Sequence, residues 1–144
     1  MNEPGYQPPD LSLRGPAHVA RYEETDGEVG HEWNGAHILL LTTTGRTTGR
    51  SRTSALIYGR DGADYLVVAS AGGAPKHPAW YLNLQANPAA VIQVKADRLR
   101  VTARTADAAE RPRLWELATA YWPNYDVYQS RTSRVIPLVV LSPS

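Results

Sequence analysis

Three arginines lie close together in one segment of this chain that also contains glycine and hydroxyl side chains. The segment, residues 45–52, reads GRTTGRSR and stands between two apolar runs. Arginine offers planar pairs of N–H donors that match phosphate oxygens, and glycine lets backbone N–H groups approach the same oxygens. A solvated hairpin loop with surface charges is the alternative, and composition does not separate the two. The candidate anion ligands are Arg46, Thr47, Thr48, Arg50 and Arg52.

A second segment, residues 70–78 (SAGGAPKHP), leaves an apolar run and leads into a helix that is predicted to begin near Pro78. Gly72 and Gly73 permit close approach of the backbone to a planar ring or a phosphate. Lys76 adds a positive charge, and a helix N-terminus attracts negative charge. An ordinary strand-to-helix connection is the alternative. Two such loops in one small chain favour a shared ligand that contains phosphate.

A third segment, residues 121–129 (YWPNYDVYQ), carries aromatic side chains at intervals of three and four residues. At that spacing the aromatics share one face of a helix. Such a face can cover a flat ring, while the tyrosine hydroxyls donate hydrogen bonds or a proton to a carbonyl or nitro oxygen. Packing into the hydrophobic core is the alternative.

The remaining composition excludes several kinds of chemistry. The chain has no cysteine, which excludes disulfides, thiolate metal clusters and a cysteine nucleophile. The histidines are too scattered for a metal site, so we predict no metal, and no GxSxG elbow or ordered Ser-His-Asp set supports hydrolysis. A formal net charge of +1 does not favour nucleic-acid binding. No signal peptide or membrane span is predicted, and a cytoplasmic location is expected.

The predicted elements place these three segments at the ends of strands and helices. The 144 residues fit one domain, and residues 1–14, rich in proline and polar groups, are predicted to be a flexible N-terminal arm. Helices are predicted from Gly15, from Pro78 and after Asp107. The predicted strands are residues 36–44, 52–58, 65–70, 89–94, 98–104 and 135–141.

The order of these elements predicts the fold class. Hairpin connections favour an antiparallel sheet that is closed, or nearly closed, into a barrel, and the class is α+β, mainly β. No GxGxxG segment opens a helix after a strand, so a dinucleotide-binding parallel sheet is not expected.

Four separated segments together resemble the deazaflavin-dependent nitroreductase family. They read LLLTTTGRTTGRSRTSALIY, YLVVASAGGAPKHPAWYLNLQANP, VTAR and YWPNYDVYQSRTSRVIPLVVL, and the match runs from about His18 to Pro143. The resemblance implies a single-domain split β-barrel of about six mostly antiparallel strands over residues 15–144, with short flanking helices. It implies binding of the 8-hydroxy-5-deazaflavin coenzyme F-420 and hydride transfer to a quinone, nitroaromatic or nitroimidazole acceptor.

The resemblance also implies roles for single residues. The phosphate and acidic tail of F-420 are expected beside the arginines of residues 45–52, and the deazaflavin ring beside Ser70 and the two following glycines. The implied cofactor-binding residues are Arg46, Thr47, Thr48, Arg50, Arg52, Ser70, Gly72, Gly73, Lys76 and His77. The family often has lysine at position 47 and proline at positions 51 and 55, so this chain lacks one cation of the pattern.

The acceptor is expected against the aromatic segment. The implied substrate-binding residues are Trp122, Tyr125 and Tyr128, and the predicted catalytic residues are Tyr125, Tyr128 and Ser70. The family often has tyrosine where Trp122 stands, so this chain lacks one phenol in the acceptor pocket. Quinone acceptors would also bring occasional peripheral contact with a membrane.

Two other functions are compatible with the residues. A related split barrel could place the phosphate of flavin mononucleotide (FMN) in the same arginine loop. A non-catalytic carrier could hold the deazaflavin, or a tetrapyrrole, without turning over a substrate. Titration with both cofactors, followed by reoxidation with an acceptor, separates these alternatives.

Overall fold

Residues 3–144, which a computed structural model describes, contain seven strands in one antiparallel sheet. In chain order the strands are β1 Glu32–Trp33, β2 Ala36–Thr44, β3 Ser51–Asp61, β4 Asp64–Val68, β5 Ala89–Val94, β6 Asp97–Thr105 and β7 Leu138–Pro143. The sheet order is β1-β2-β3-β4-β7-β6-β5, and β5 pairs back onto β2 with Leu41 opposite Ile92. Strands β2 to β7 therefore close into a six-stranded barrel, which confirms the predicted fold class.

Five helical segments surround the barrel. They are α1 Gly15–Thr25, a 3₁₀ turn Ala71–Gly73, α2 Ala79–Ala86, α3 Arg111–Tyr121 and α4 Asn124–Ser130. Helix α1 ends where Asp26 takes a left-handed conformation at φ 50°. The helix predicted after Asp107 begins with a reciprocal capping box, because Glu110 N donates to Asp107 Oδ1 at 2.9 Å and Asp107 N donates to Glu110 Oε1 at 3.1 Å.

The sequences of the strands are continuous apolar runs because both faces of the sheet are buried. In β4, Tyr65 and Val67 pack with the side chains inside the barrel, while Leu66 and Val68 pack outward against α3 and α4. On the far side, Tyr22 of α1 is fully buried, donates its hydroxyl hydrogen to Ile38 O and accepts from Lys95 N at 2.7 Å.

Several boundaries differ from the prediction. Strand β7 begins at Leu138 rather than Val135, which is 66% exposed, because Pro137 cannot donate to a ladder. The strand predicted for residues 65–70 ends at Val68, and the short β1 was not predicted. No helix within residues 3–144 has the length and apolar character needed to cross a membrane.

The described part of the N-terminal arm, residues 3–14, has no strand and lies across α4. Gln7 N donates to Asn124 Oδ1 at 2.9 Å and Asn124 Nδ2 donates to Gln7 O at 2.8 Å. Trp33 Nε1 donates to Leu13 O at 2.7 Å. The arm's flexibility stays a prediction, and residues 1–2 lie outside the described residues.

Candidate active site

The first cavity of the site lies where α1, β3, the 3₁₀ turn and α4 meet. We call it the aromatic cavity; its volume is about 310 Å³, within the range of small-molecule sites. Apolar side chains of β2, β3 and β4 form its floor. Its aromatic walls are Trp33, Trp80, Trp122, Tyr125 and Tyr128. Three of the predicted catalytic or acceptor residues are among them, and Ser70 also lines this cavity.

Four polar side-chain groups on these walls lack a protein partner. Within residues 3–144 no hydrogen bond is made by Ser70 Oγ, Trp80 Nε1, Trp122 Nε1 or Tyr125 Oη, although all four residues are at most 8% exposed. No fully buried side-chain polar atom in this part of the chain lacks a partner. These four groups therefore reach open space, and the cavity they line offers them to a ligand.

Helix α4 positions the two tyrosines one turn apart. Tyr125 is 3% exposed and its ring packs edge-on against Tyr121 and Tyr128, with centroids 6.2 and 6.1 Å away. Burial, followed by the neighbouring tyrosines, raises the pKa of Tyr125 well above its ordinary value. Its hydroxyl is therefore a hydrogen-bond donor at neutral pH and not a phenolate.

The second cavity, which we call the arginine cavity, has a volume of about 560 Å³ and adjoins the first, because Trp80 lines both. Arg46 and Arg52 supply its positive charge. Hydroxyl groups complete its polar wall, from Thr47, Thr48, Ser51, Thr53 and Ser54. Donors and cations of this kind bind phosphate.

Asn83 fixes the position of Arg46. Asn83 is 3% exposed, and its Oδ1 accepts from Arg46 N at 3.1 Å and from Arg46 Nη1 at 3.0 Å. Its Nδ2 donates to Thr43 Oγ1 at 3.2 Å, which ties α2 to β2. Because guanidinium has five N–H donors, the bond to Asn83 orients Arg46 and leaves other donors for an anion.

The third cavity, the lysine cavity, has a volume of about 490 Å³ and is lined by Lys76, His77 and Arg134. Arg46 lines both this cavity and the arginine cavity. Within residues 3–144 no aspartate or glutamate lines any of the three cavities. The three adjoining cavities, which we call the groove, thus change from mainly aromatic to mainly cationic walls.

The loop that joins β4 to α2 depends on glycine. Ala71, Gly72 and Gly73 all have positive φ, at 46°, 64° and 84°. A Cβ at Gly73 would lie 2.5 Å from the carbonyl oxygen of Tyr128, whereas a Cβ at Gly72 would meet no protein atom within 4 Å. Gly73 therefore lets the loop contact α4, and Gly72 leaves open space beside the aromatic cavity, which it lines.

The structure brings together most of the predicted site residues in this groove. Arg50 and Gly73 are the exceptions, because neither lines any of the three cavities: Arg50 is exposed and Gly73 is buried against α4. Trp80, Asn83 and Arg134 were not among the site residues predicted from the sequence. Trp80 and Asn83 share a helix face at a spacing of three residues, directly after the glycine loop, and that spacing was a usable signal. No local signal marked Arg134.

A planar ring with an anionic tail suits this groove, since flat aromatic walls lead into cationic pockets without opposing carboxylates. The same part of the chain, residues 3–144, contains no group of three His, Asp or Glu side chains that could hold a metal ion.

Comparisons with known proteins agree with this chemistry. A family model described as F420H(2)-dependent quinone reductase matches residues 15–143. The F420H(2)-dependent quinone reductase Rv1261c of Mycobacterium tuberculosis is 48% identical over 129 residues, which cover 87% of each chain. A solved F420-H2 dependent reductase, FDR-A, is 40% identical with a TM-score of 0.68, over 73% of this chain and 93% of its own. A solved domain-swapped dimer is 35% identical with a TM-score of 0.70, over 89% of this chain and 100% of its own.

Proposed function

The chain belongs to the F420H(2)-dependent quinone reductase family, and from this premise we propose that its groove binds reduced F-420 and delivers hydride to a quinone in the aromatic cavity. It is an oxidoreductase whose cofactor is coenzyme F-420. The single observation that carries the site assignment is that the three cavities adjoin one another. Trp80 lines both the aromatic cavity and the arginine cavity, and Arg46 lines both the arginine cavity and the lysine cavity.

The cationic part of the groove would hold the anionic part of F-420. Arg46, already oriented by Asn83, offers its remaining N–H donors together with Arg52 and the hydroxyls of Thr47 and Thr48. Lys76 and His77 extend the same surface into the lysine cavity. Arg50 contributes through its long-range charge, since it lines none of these cavities.

The aromatic part of the groove would hold the deazaflavin ring and the acceptor. When bound, the reduced deazaflavin supplies the hydride. Gly72 leaves space for a ring beside the loop, and Ser70 places a free hydroxyl on the same wall. Buried tryptophan and tyrosine side chains line this space, and a bound ring would displace water from it, which would strengthen the hydrogen bonds made inside it.

The donors on the wall explain how a quinone would be activated. A quinone oxygen gains negative charge as hydride reaches the ring, and preorganised donors stabilise that charge. Tyr125 Oη and Trp122 Nε1 are two such donors that have no hydrogen-bond partner among residues 3–144. Because the pKa of Tyr125 is raised, this hydroxyl would donate a hydrogen bond rather than release its proton.

Tyr128 and the arm complete the acceptor side. Tyr128 lines the aromatic cavity and packs on Tyr6 of the arm, with centroids 6.4 Å apart. Leu11 of the arm is 47% exposed and also lines the cavity, so the apolar tail of a quinone, or a membrane surface that carries one, would meet it first. Nitro compounds form a second acceptor class for the same donors.

Binding and turnover test the proposal separately. We expect a titration to show binding of F-420 and much weaker binding of FMN, because the lysine cavity suits the acidic tail that FMN lacks. We expect reduced F-420 on the protein to be oxidised by menadione, and a nitroimidazole in the same panel to define the second acceptor class. Tighter binding of FMN, or bound reduced F-420 that no quinone oxidises, would overturn the proposal.

A further inference from the structure

Arg134 lies between α4 and β7, and its side chain reaches back to the loop that precedes α2. Its Nε donates to Ala74 O at 2.8 Å, its Nη2 donates to Ser70 O at 2.8 Å, and its Nη1 donates to Ala69 O at 3.2 Å. Nη1 also lies 3.0 Å from His77 Nδ1. One guanidinium thus contacts both ends of the loop that forms a wall of the groove.

The contact with His77 determines which ring nitrogen carries the proton. Guanidinium only donates hydrogen bonds, so His77 Nδ1 must accept with its lone pair. The proton of the neutral ring is then on Nε2. Within residues 3–144, Nε2 of His77 has no hydrogen-bond partner, and the residue lines the lysine cavity. An N–H donor is therefore available to a ligand in that cavity.

The surroundings keep His77 neutral. The charged groups that line the same cavity are Arg134, Lys76 and Arg46, and none of the described carboxylates, within residues 3–144, lines it. Tyr81 packs edge-on against the ring, with the two ring centroids 5.0 Å apart. A proton on Nδ1 would break the hydrogen bond and add a fourth cation. Burial and the Arg134 charge accordingly lower the pKa of His77 below its ordinary value.

We propose that Arg134 is a positioning residue that fixes His77 as an Nε2–H donor to the anionic part of F-420. The inference about the cofactor rests on the proposed function, whereas the tautomer of His77 belongs to the protein alone. Arg134 does not need to touch the cofactor for this role. It acts through His77 and through the loop carbonyls that it binds.

The first test measures the tautomer in the protein without cofactor. Nitrogen-15 NMR of the imidazole rings should show His77 only as the Nε2–H form in the parent protein. Arg134→Lys offers one donor centre in place of a fork and should give a mixture of both tautomers. Arg113→Lys is the matched control, because Arg113 pairs with Asp61 outside the groove, at 2.9 Å. An Nδ1–H parent, or an unchanged ring in Arg134→Lys, would overturn the proposal.

The second test leaves Arg134 in place. Glutamine positions its amide near the Nε2 site of histidine and asparagine positions its amide near the Nδ1 site. His77→Gln should therefore keep an N–H toward the ligand and bind F-420 within about threefold of the parent, while His77→Asn should bind about tenfold more weakly. Equal affinity of the two variants contradicts the role of His77 as donor.

The two tests separate the failures. A parent protein that has the Nε2–H tautomer but does not bind F-420 contradicts the proposed function and the cofactor role of His77, and leaves the Arg134 contact established. A parent that binds F-420 with the wrong tautomer contradicts only the positioning role.

Discussion

Replacing Tyr125 by phenylalanine should slow hydride transfer to quinone without weakening the fold. The hydroxyl makes no hydrogen bond within residues 3–144, so its removal leaves no protein group unpaired. The ring remains 3% exposed and keeps its packing against Tyr121 and Tyr128. We therefore expect the free energy of unfolding to change by less than about 0.5 kcal/mol.

Tyr121→Phe is the matched control. Its hydroxyl donates to Leu66 O at 3.3 Å, and Tyr121 does not line the aromatic cavity. Loss of that hydrogen bond should reduce the free energy of unfolding by about 1 kcal/mol. Turnover of the control should stay at the level of the parent. The two variants each remove one hydroxyl oxygen from neighbouring rings. The rate should fall only in Tyr125→Phe, and the stability should fall only in Tyr121→Phe.

The size of the rate effect follows from one lost donor. A hydrogen bond to an oxygen that gains charge in the transition state contributes roughly 10- to 100-fold in rate, which is about 1.4 to 2.7 kcal/mol. The assay follows the absorbance of reduced F-420 during single turnover with menadione, and a fluorescence titration gives the Kd of F-420. Tyr125→Phe should lower the rate of transfer and leave that Kd unchanged. An unchanged rate, or a loss confined to cofactor affinity, would refute this assignment.

Three further predictions concern affinity, loop strain and pH. Arg46→Ala should raise the Kd of F-420 by about 10- to 100-fold and Arg50→Ala by at most about fivefold in a titration at low salt, because Arg46 lines two of the cavities and Arg50 lines none. Equal effects of the two substitutions would contradict the assignment of Arg46 to the cofactor site. Gly73→Ala would place its Cβ 2.5 Å from Tyr128 O at a residue whose φ is 84°, whereas Gly72→Ala adds only about 1 kcal/mol of backbone strain. Gly73→Ala should therefore lower the Tm more than Gly72→Ala does. The reverse order in thermal melts would show that the loop does not pack against α4 in this way. Burial, followed by the neighbouring His37, lowers the pKa of His31 from 6.5. Because the unfolded state then binds more protons, the free energy of unfolding should fall as the pH drops below about 6.5. Urea melts at about pH 7.5 and pH 5.5 should show a smaller loss of unfolding free energy in His31→Gln than in the parent, and an equal loss would mean that another group causes the pH dependence.

The strands and the two loops of the site were predictable because their signals are local. Residues 36–44 form a strand as predicted, and the arginine and glycine loops follow directly from the apolar runs that flank them. The reciprocal capping of Asp107 and Glu110 is equally local, since both partners lie within four residues. Hairpin connections then limit the topology, so the barrel was predictable although its closing pair, β2 with β5, is not local.

The parts that were missed depend on contacts between residues far apart in the chain. Arg134 binds carbonyl groups some 60 residues earlier, at sequence separations of 60 to 65, and nothing around position 134 indicates that. Tyr121, Trp122 and Tyr125 are close in the chain, yet only the last two face the aromatic cavity. Sequence spacing places aromatics on a helix face, but the break between α3 and α4 sets which face meets the barrel. Local sequence patterns therefore identified the chemical groups of the site. The packing of α2, α4 and the segment before β7 determined which of those groups face a ligand, because the orientation of a side chain at a cavity is set by contacts with residues far away in the chain.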